Sequence, residues 1–81
     1  MIKARIAVTL KNAVLDPQGK AIEGALASLG FSGVVSVRQG KLFDLTLDHN
    51  DRAKAEADFK AMCEKLLANM VIENYDVELL P

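Results

Sequence analysis

Residues 2 to 11 alternate without a break. Ile2, Ala4, Ile6, Val8 and Leu10 fall on one side, and Lys3, Arg5, Ala7, Thr9 and Lys11 on the other. A period of two belongs to an extended chain half-buried in a sheet, because successive side chains point to opposite faces. One face of that sheet must then be covered, and the remaining residues of an 81-residue chain have to supply the cover.

Two helical patterns can do so. In "AVLDPQGKAIEGAL", Asp16 suits the N-cap position and Pro17 suits the first helical position, where a missing N–H costs nothing. Ile22, Ala25, Leu26 and Leu29 form an apolar stripe. Gly30 fits the left-handed residue after the helix, with Phe31 as the apolar residue beyond it. The helix is expected over 17 to 29. Gly19, in its first turn, is unfavourable against alanine and is not explained by capping, so a small residue there implies a close approach to the helix start. A second helix is expected over about 51 to 68, with Asn50 as N-cap and Ala55, Phe59, Met62, Cys63 and Leu66 as its buried stripe. Asn69 is expected to take the position after that helix that glycine takes after the first.

Between the helices, Val35, Val37, Phe43, Leu45 and Leu47 share one parity across "RQGK". One strand bent at Gly40 keeps them on one face, and so does a hairpin with a three-residue loop. Both remain open. A last strand alternates with Tyr75, Val77 and Leu79 inward and Asp76 and Glu78 outward. The order β-α-β-α-β predicts an α+β two-layer sandwich in a single domain over 1–81, with two helices on one face of a small, mainly antiparallel sheet. The other face would carry Arg5, Thr9, Asp44, Asp76 and Glu78 with apolar gaps. It is either solvated or paired with another copy.

Composition narrows the function. Ten basic and eleven acidic residues leave a net charge of −1, which gives no electrostatic footprint for nucleic acid or an anionic membrane. No apolar run approaches the ~20 residues of a membrane span. "MIKARIAV" reads as strand rather than signal peptide, and a lone Cys63 fits a reducing cytoplasm. One histidine and one cysteine do not make a zinc site. His49 lies in a polar turn without an evident catalytic partner, and Cys63 lies in an apolar stripe. A stand-alone enzyme using His49 or Asp44 is therefore disfavoured. No phosphate-binding glycine loop is present, and "GFSG" at 30 to 33 joins a helix to a strand rather than two helices. So small a chain without disulfide or metal needs another staple, and oligomerisation is the one left.

Three stretches carry a resemblance: "VTLKNAVLDPQGKAIEGALASLGF", "VSVRQGKLFDL" and "CEKLLANMVIENYDVEL". Together, in this order and spacing, they resemble the PurS family, the small subunits of phosphoribosylformylglycinamidine synthase. Gln39 and Met70 depart from the family pattern, where a small apolar residue and a proline are common.

The resemblance implies a cytoplasmic, non-catalytic subunit of a purine-biosynthetic C–N ligase. It would form a homodimer or homotetramer and join a glutaminase subunit to a large ligase subunit. It would hold no cofactor of its own, the complex using ATP, Mg2+ and glutamine. The residues expected at partner contacts are Asp16, Pro17, Gln18, Gly19 and Lys20 in one turn, Arg38, Gly40 and Lys41 in another, and Asn69. A bulky residue at 19 is expected to spare the fold and weaken the complex. Against this stands an ACT-like module that binds an amino acid, which requires the hairpin and hence a fourth strand.

Overall fold

In a computed structural model describing residues 1–81, the opening alternation becomes the central strand, β1 (Ile2–Leu10). It lies between β2 (Gly40–Leu47) and β3 (Glu73–Leu79), antiparallel to both, in the order β2-β1-β3. Ile6 sits opposite Phe43 on one side and Val77 on the other, so one row of apolar residues crosses the sheet. Ile2, Ala4, Ile6 and Val8 are buried, while Lys3, Arg5 and Thr9 are exposed. The far face is exposed in the single chain, and there Arg5 Nε donates to Asp44 Oδ1 at 3.0 Å.

α2 (Arg52–Met62) covers the buried face. Its Asp51 caps it, the carboxylate accepting from Lys54 N–H at 3.1 Å. The cap is thus one residue later than the expected Asn50, whose side chain instead accepts from the N-terminal ammonium. Ala55 and Phe59 are fully buried against β1, and Cys63 continues the line.

The helix then widens into a π turn, Cys63–Leu67, closed by Ala68 N–H donating to the Cys63 carbonyl at 2.9 Å. A π turn inserts one residue into the helical phase. Leu66, expected inward, is carried out to 83% exposure, while Leu67 is half-buried and Ala68 is buried. Asn69 has no left-handed backbone, the only positive φ being at Gly30. Its side chain accepts from Val71 N–H, and its own N–H donates to Glu73 Oε1 at 2.7 Å, turning the chain into β3.

The α+β class and the two helices stand, but α1 (Pro17–Ser28) is placed differently from expectation. It contributes no side chain to the core, and its only buried residue is Gly19. It projects from the sheet, giving extents of 48 × 27 × 14 Å and a radius of gyration of 16.1 Å. About 12 Å is ordinary for a compact chain of this length. Both ends of α1 are nonetheless well formed. At its C-terminus, Gly30 N–H donates to Ala27 and Phe31 N–H to Leu26, with φ 96° at Gly30, the paired bonds of a Schellman motif.

No hairpin forms at 34–48. The ladder covers Gly40–Leu47, and residues 34–39 run outside it, from α1 back to the sheet.

Candidate functional site: a clasp at the root of a projecting arm

The expected contact residues gather where α1 joins the sheet. Asp16 is only 5% exposed, and its two carboxylate oxygens have separate duties. Oδ1 accepts from Gly19 N–H at 2.9 Å and so caps α1. Oδ2 accepts from Gln39 N–H at 2.7 Å and so holds the segment that enters β2. A buried carboxylate without partners would be costly, and these N–H groups compensate it. The Gln39 bond first and the Gly19 bond second hold the Asp16 carboxyl below its ordinary range, against the opposing effect of burial, with the Arg38 charge adding to the lowering.

Arg38 completes the tie. Its Nη2 donates to the Lys11 carbonyl at 2.9 Å and to that of Leu10 at 3.4 Å, binding the return segment to the end of β1. The two glycines answer to the same crowding. A Cβ on Gly19 would lie 2.3 Å from the Val37 carbonyl oxygen. A Cβ on Gly40 would lie 2.6 Å from the Val8 carbonyl oxygen. The space left by Gly19 is therefore filled from within the chain. The expectation that a bulky residue at 19 would spare the fold is corrected, because a backbone oxygen, unlike a flexible side chain, cannot simply swing aside.

Pro17, Gln18 and Lys20 stay exposed around this clasp. Lys20 Nζ lies 3.6 Å from Glu23 Oε2 within α1. Lys41 Nζ lies 3.9 Å from Glu73 Oε2, whose other oxygen accepts from Asn69 N–H. A hollow of about 150 Å³ opens between these groups, lined by Val8, Leu10, Asp16, Gln18, Gln39, Gly40, Lys41 and Glu73. Gln39 and Glu73 were missing from the expected set. Gln39 acts through its backbone N–H, which carries no side-chain signature.

The other candidates lie elsewhere. His49 Nδ1 accepts from Asp51 N–H, and its Nε2 lies 3.9 Å from Asp58 without a hydrogen bond. Asp44 is engaged by Arg5. Cys63 is fully buried, and burial raises its thiol pKa, as does the nearby Glu64 charge. No group of His, Cys, Asp and Glu side chains is arranged to hold a metal ion. No helix is long and apolar enough to cross a membrane.

Beyond the clasp the arm is apolar and bare. Ile22, Leu29, Phe31, Val34 and Val35 are all exposed, Val35 to 93%. Soluble chains seldom leave such a series uncovered, and exposed apolar patches of this kind mark interaction surfaces.

The model of the family described as PurS, phosphoribosylformylglycinamidine (FGAM) synthase, matches residues 3–81. The chain belongs to the PurS family. A phosphoribosylformylglycinamidine synthase subunit PurS from Synechocystis sp. is 51% identical over 75 residues, covering 93% of this chain and 75% of the relative. The crystal structure of Bacillus subtilis PurS is similar over the full length of both chains, with a TM-score of 0.89 at 47% identity. A chain in the PurLQS structure from Thermotoga maritima is similar with a TM-score of 0.90 at 35% identity, covering 98% of this chain and 96% of that one.

Proposed function

We propose that this chain is a non-catalytic assembly subunit of phosphoribosylformylglycinamidine synthase, acting in purine biosynthesis in the cytoplasm. It joins a glutaminase subunit to an ATP-dependent ligase subunit, so that ammonia released from glutamine reaches formylglycinamide ribonucleotide. It carries no cofactor, nucleic acid or membrane of its own; ATP, Mg2+ and glutamine are used by the complex. The observation that carries this reading is the family match over residues 3–81, joined to the likeness to a chain within the PurLQS structure.

The arm supports an oligomeric form of the subunit. A second copy laid antiparallel would cover the apolar side of α1 and residues 34–39, where the backbone forms no ladder. Exposed strand edges and unpaired extended segments readily pair with another chain. A dimer is the smallest assembly that satisfies both arms, and a tetramer is two such dimers. The ACT-like alternative requires a fourth strand from residues 34–39, and none forms there.

The test is a mixing experiment with the glutaminase and ligase subunits. Amidination is followed with glutamine and, separately, with free ammonia. The expected result is that glutamine-dependent turnover requires this chain, while the ligase still uses ammonia without it. No complex and no change in either reaction would refute the proposal.

A further inference from the structure

The direction of α1 depends on very few ties. Residues 20–28 make no side-chain hydrogen bond to another element, and only Glu23 and Leu26 in that span are half-buried. Both strands of backbone that connect the arm to the sheet pass through the clasp. The outgoing strand is held where Arg38 binds the Leu10 and Lys11 carbonyls. The returning strand is held where Asp16 binds Gln39 N–H and Gly19 meets the Val37 carbonyl. A 12-residue helix is roughly 18 Å long, so a tilt of about 10° at its root moves its far end by ~3 Å. That displacement is enough to lose side-chain complementarity.

We infer that Asp16 is a positioning residue for assembly: by dividing its two oxygens between the first turn of α1 and the entry to β2, it fixes the angle of the arm before a partner binds. Its contribution to affinity is preorganisation, since a pre-set arm avoids the ordering cost that a swinging one would meet on docking. Asp16, Gly19 and Arg38 therefore act from behind the interface. The inference about affinity rests on the reading that the arm docks on another copy; the inference about angle does not.

Asp16→Asn separates the two duties. Asparagine is a good N-cap, so its oxygen can retain the Gly19 bond, but its amide nitrogen then faces Gln39 N–H, a second donor. Arg38→Ala loosens the clasp while leaving the cap untouched. Spin labels at Ala27→Cys and Asp48→Cys, two exposed positions, report the arm-to-sheet distance by pulsed electron resonance. The native Cys63 is buried and does not compete for label. The background is Leu29→Glu with Val35→Glu, designed to keep the arm undocked, with labelled protein diluted into unlabelled chain.

The expected result is a narrow distance distribution in the background and one at least twice as wide with Asp16→Asn or Arg38→Ala, at unchanged helix content by circular dichroism. In the otherwise native chain, Asp16→Asn should weaken self-association at least tenfold. Equal widths with and without the clasp would overturn the inference. Should the glutamate pair leave self-association intact, the docking reading falls, while the distance distribution still decides the clasp.

Discussion

Val35→Asp tests the arm most directly. Val35 is 93% exposed, Leu29 73%, Phe31 58%, Val34 42% and Ile22 38%. Together these exposures amount to about three whole apolar side chains; at roughly 2 kcal/mol for each one buried, docking gains ~6 kcal/mol per copy and ~12 kcal/mol in a two-fold dimer. Association itself costs about 4–15 kcal/mol, so the arms supply much of what a dimer needs. In that dimer each substitution counts twice. Losing the transfer gain of Val35 alone removes about 4 kcal/mol, and the incoming carboxylate adds a desolvation penalty. The dissociation constant should rise by ~1,000-fold or more. The isolated chain should be little affected, since a substitution at so exposed a position normally changes stability by no more than about 0.5 kcal/mol. Sedimentation velocity over a dilution series reads the association, and circular dichroism checks the fold. A dissociation constant within threefold of the parent's would refute the assignment of this arm to self-association.

Three further outcomes follow from the core and the clasp. Phe59→Ala empties a fully buried site against β1 and should cost about 3–5 kcal/mol in urea unfolding; a loss below about 1 kcal/mol would mean the site collapses freely. The Asp16 carboxyl, held low first by Gln39 N–H and then by Gly19 N–H, should titrate below the unfolded value of about 3.9. Its stabilising effect is therefore complete above that value and lost as pH falls through the lower folded value. The Gln39 amide shift in an NMR titration should show that low midpoint, and a midpoint at or above ~3.9 would contradict the clasp. The Cys63 thiol, buried and raised in pKa, should react with a disulfide reagent roughly 100-fold more slowly in the native chain than in urea; comparable rates would place it at the surface.

The residues differ in how far their roles can be read without coordinates, and the difference is physical. The β1 alternation is local and strong, so Ile2, Ala4, Ile6 and Val8 were legible as core, and the Asp16 cap and Gly30 terminus were legible because capping chemistry acts over a few residues. The π turn was not legible, because the choice between Leu66 and Leu67 depends on packing against the sheet rather than on the helix's own period. Gly19 gave a true signal of close approach, but the approaching atom is the carbonyl of Val37, eighteen residues away, and no local pattern names it. The stripe Ile22, Leu26, Leu29 posed the same problem on a larger scale. Its spacing states that one face of α1 needs cover but is silent on which chain supplies it. In an 81-residue chain, β1 leaves room on its buried face for α2 and the π turn, whose Ala55, Phe59 and Cys63 take the centre of the core. With α2 on that face, α1 extends outward, and the clasp holds it there. The same economy of length thus leaves the chain with an apolar arm, tied at its root by Asp16 and Arg38 and open to a partner.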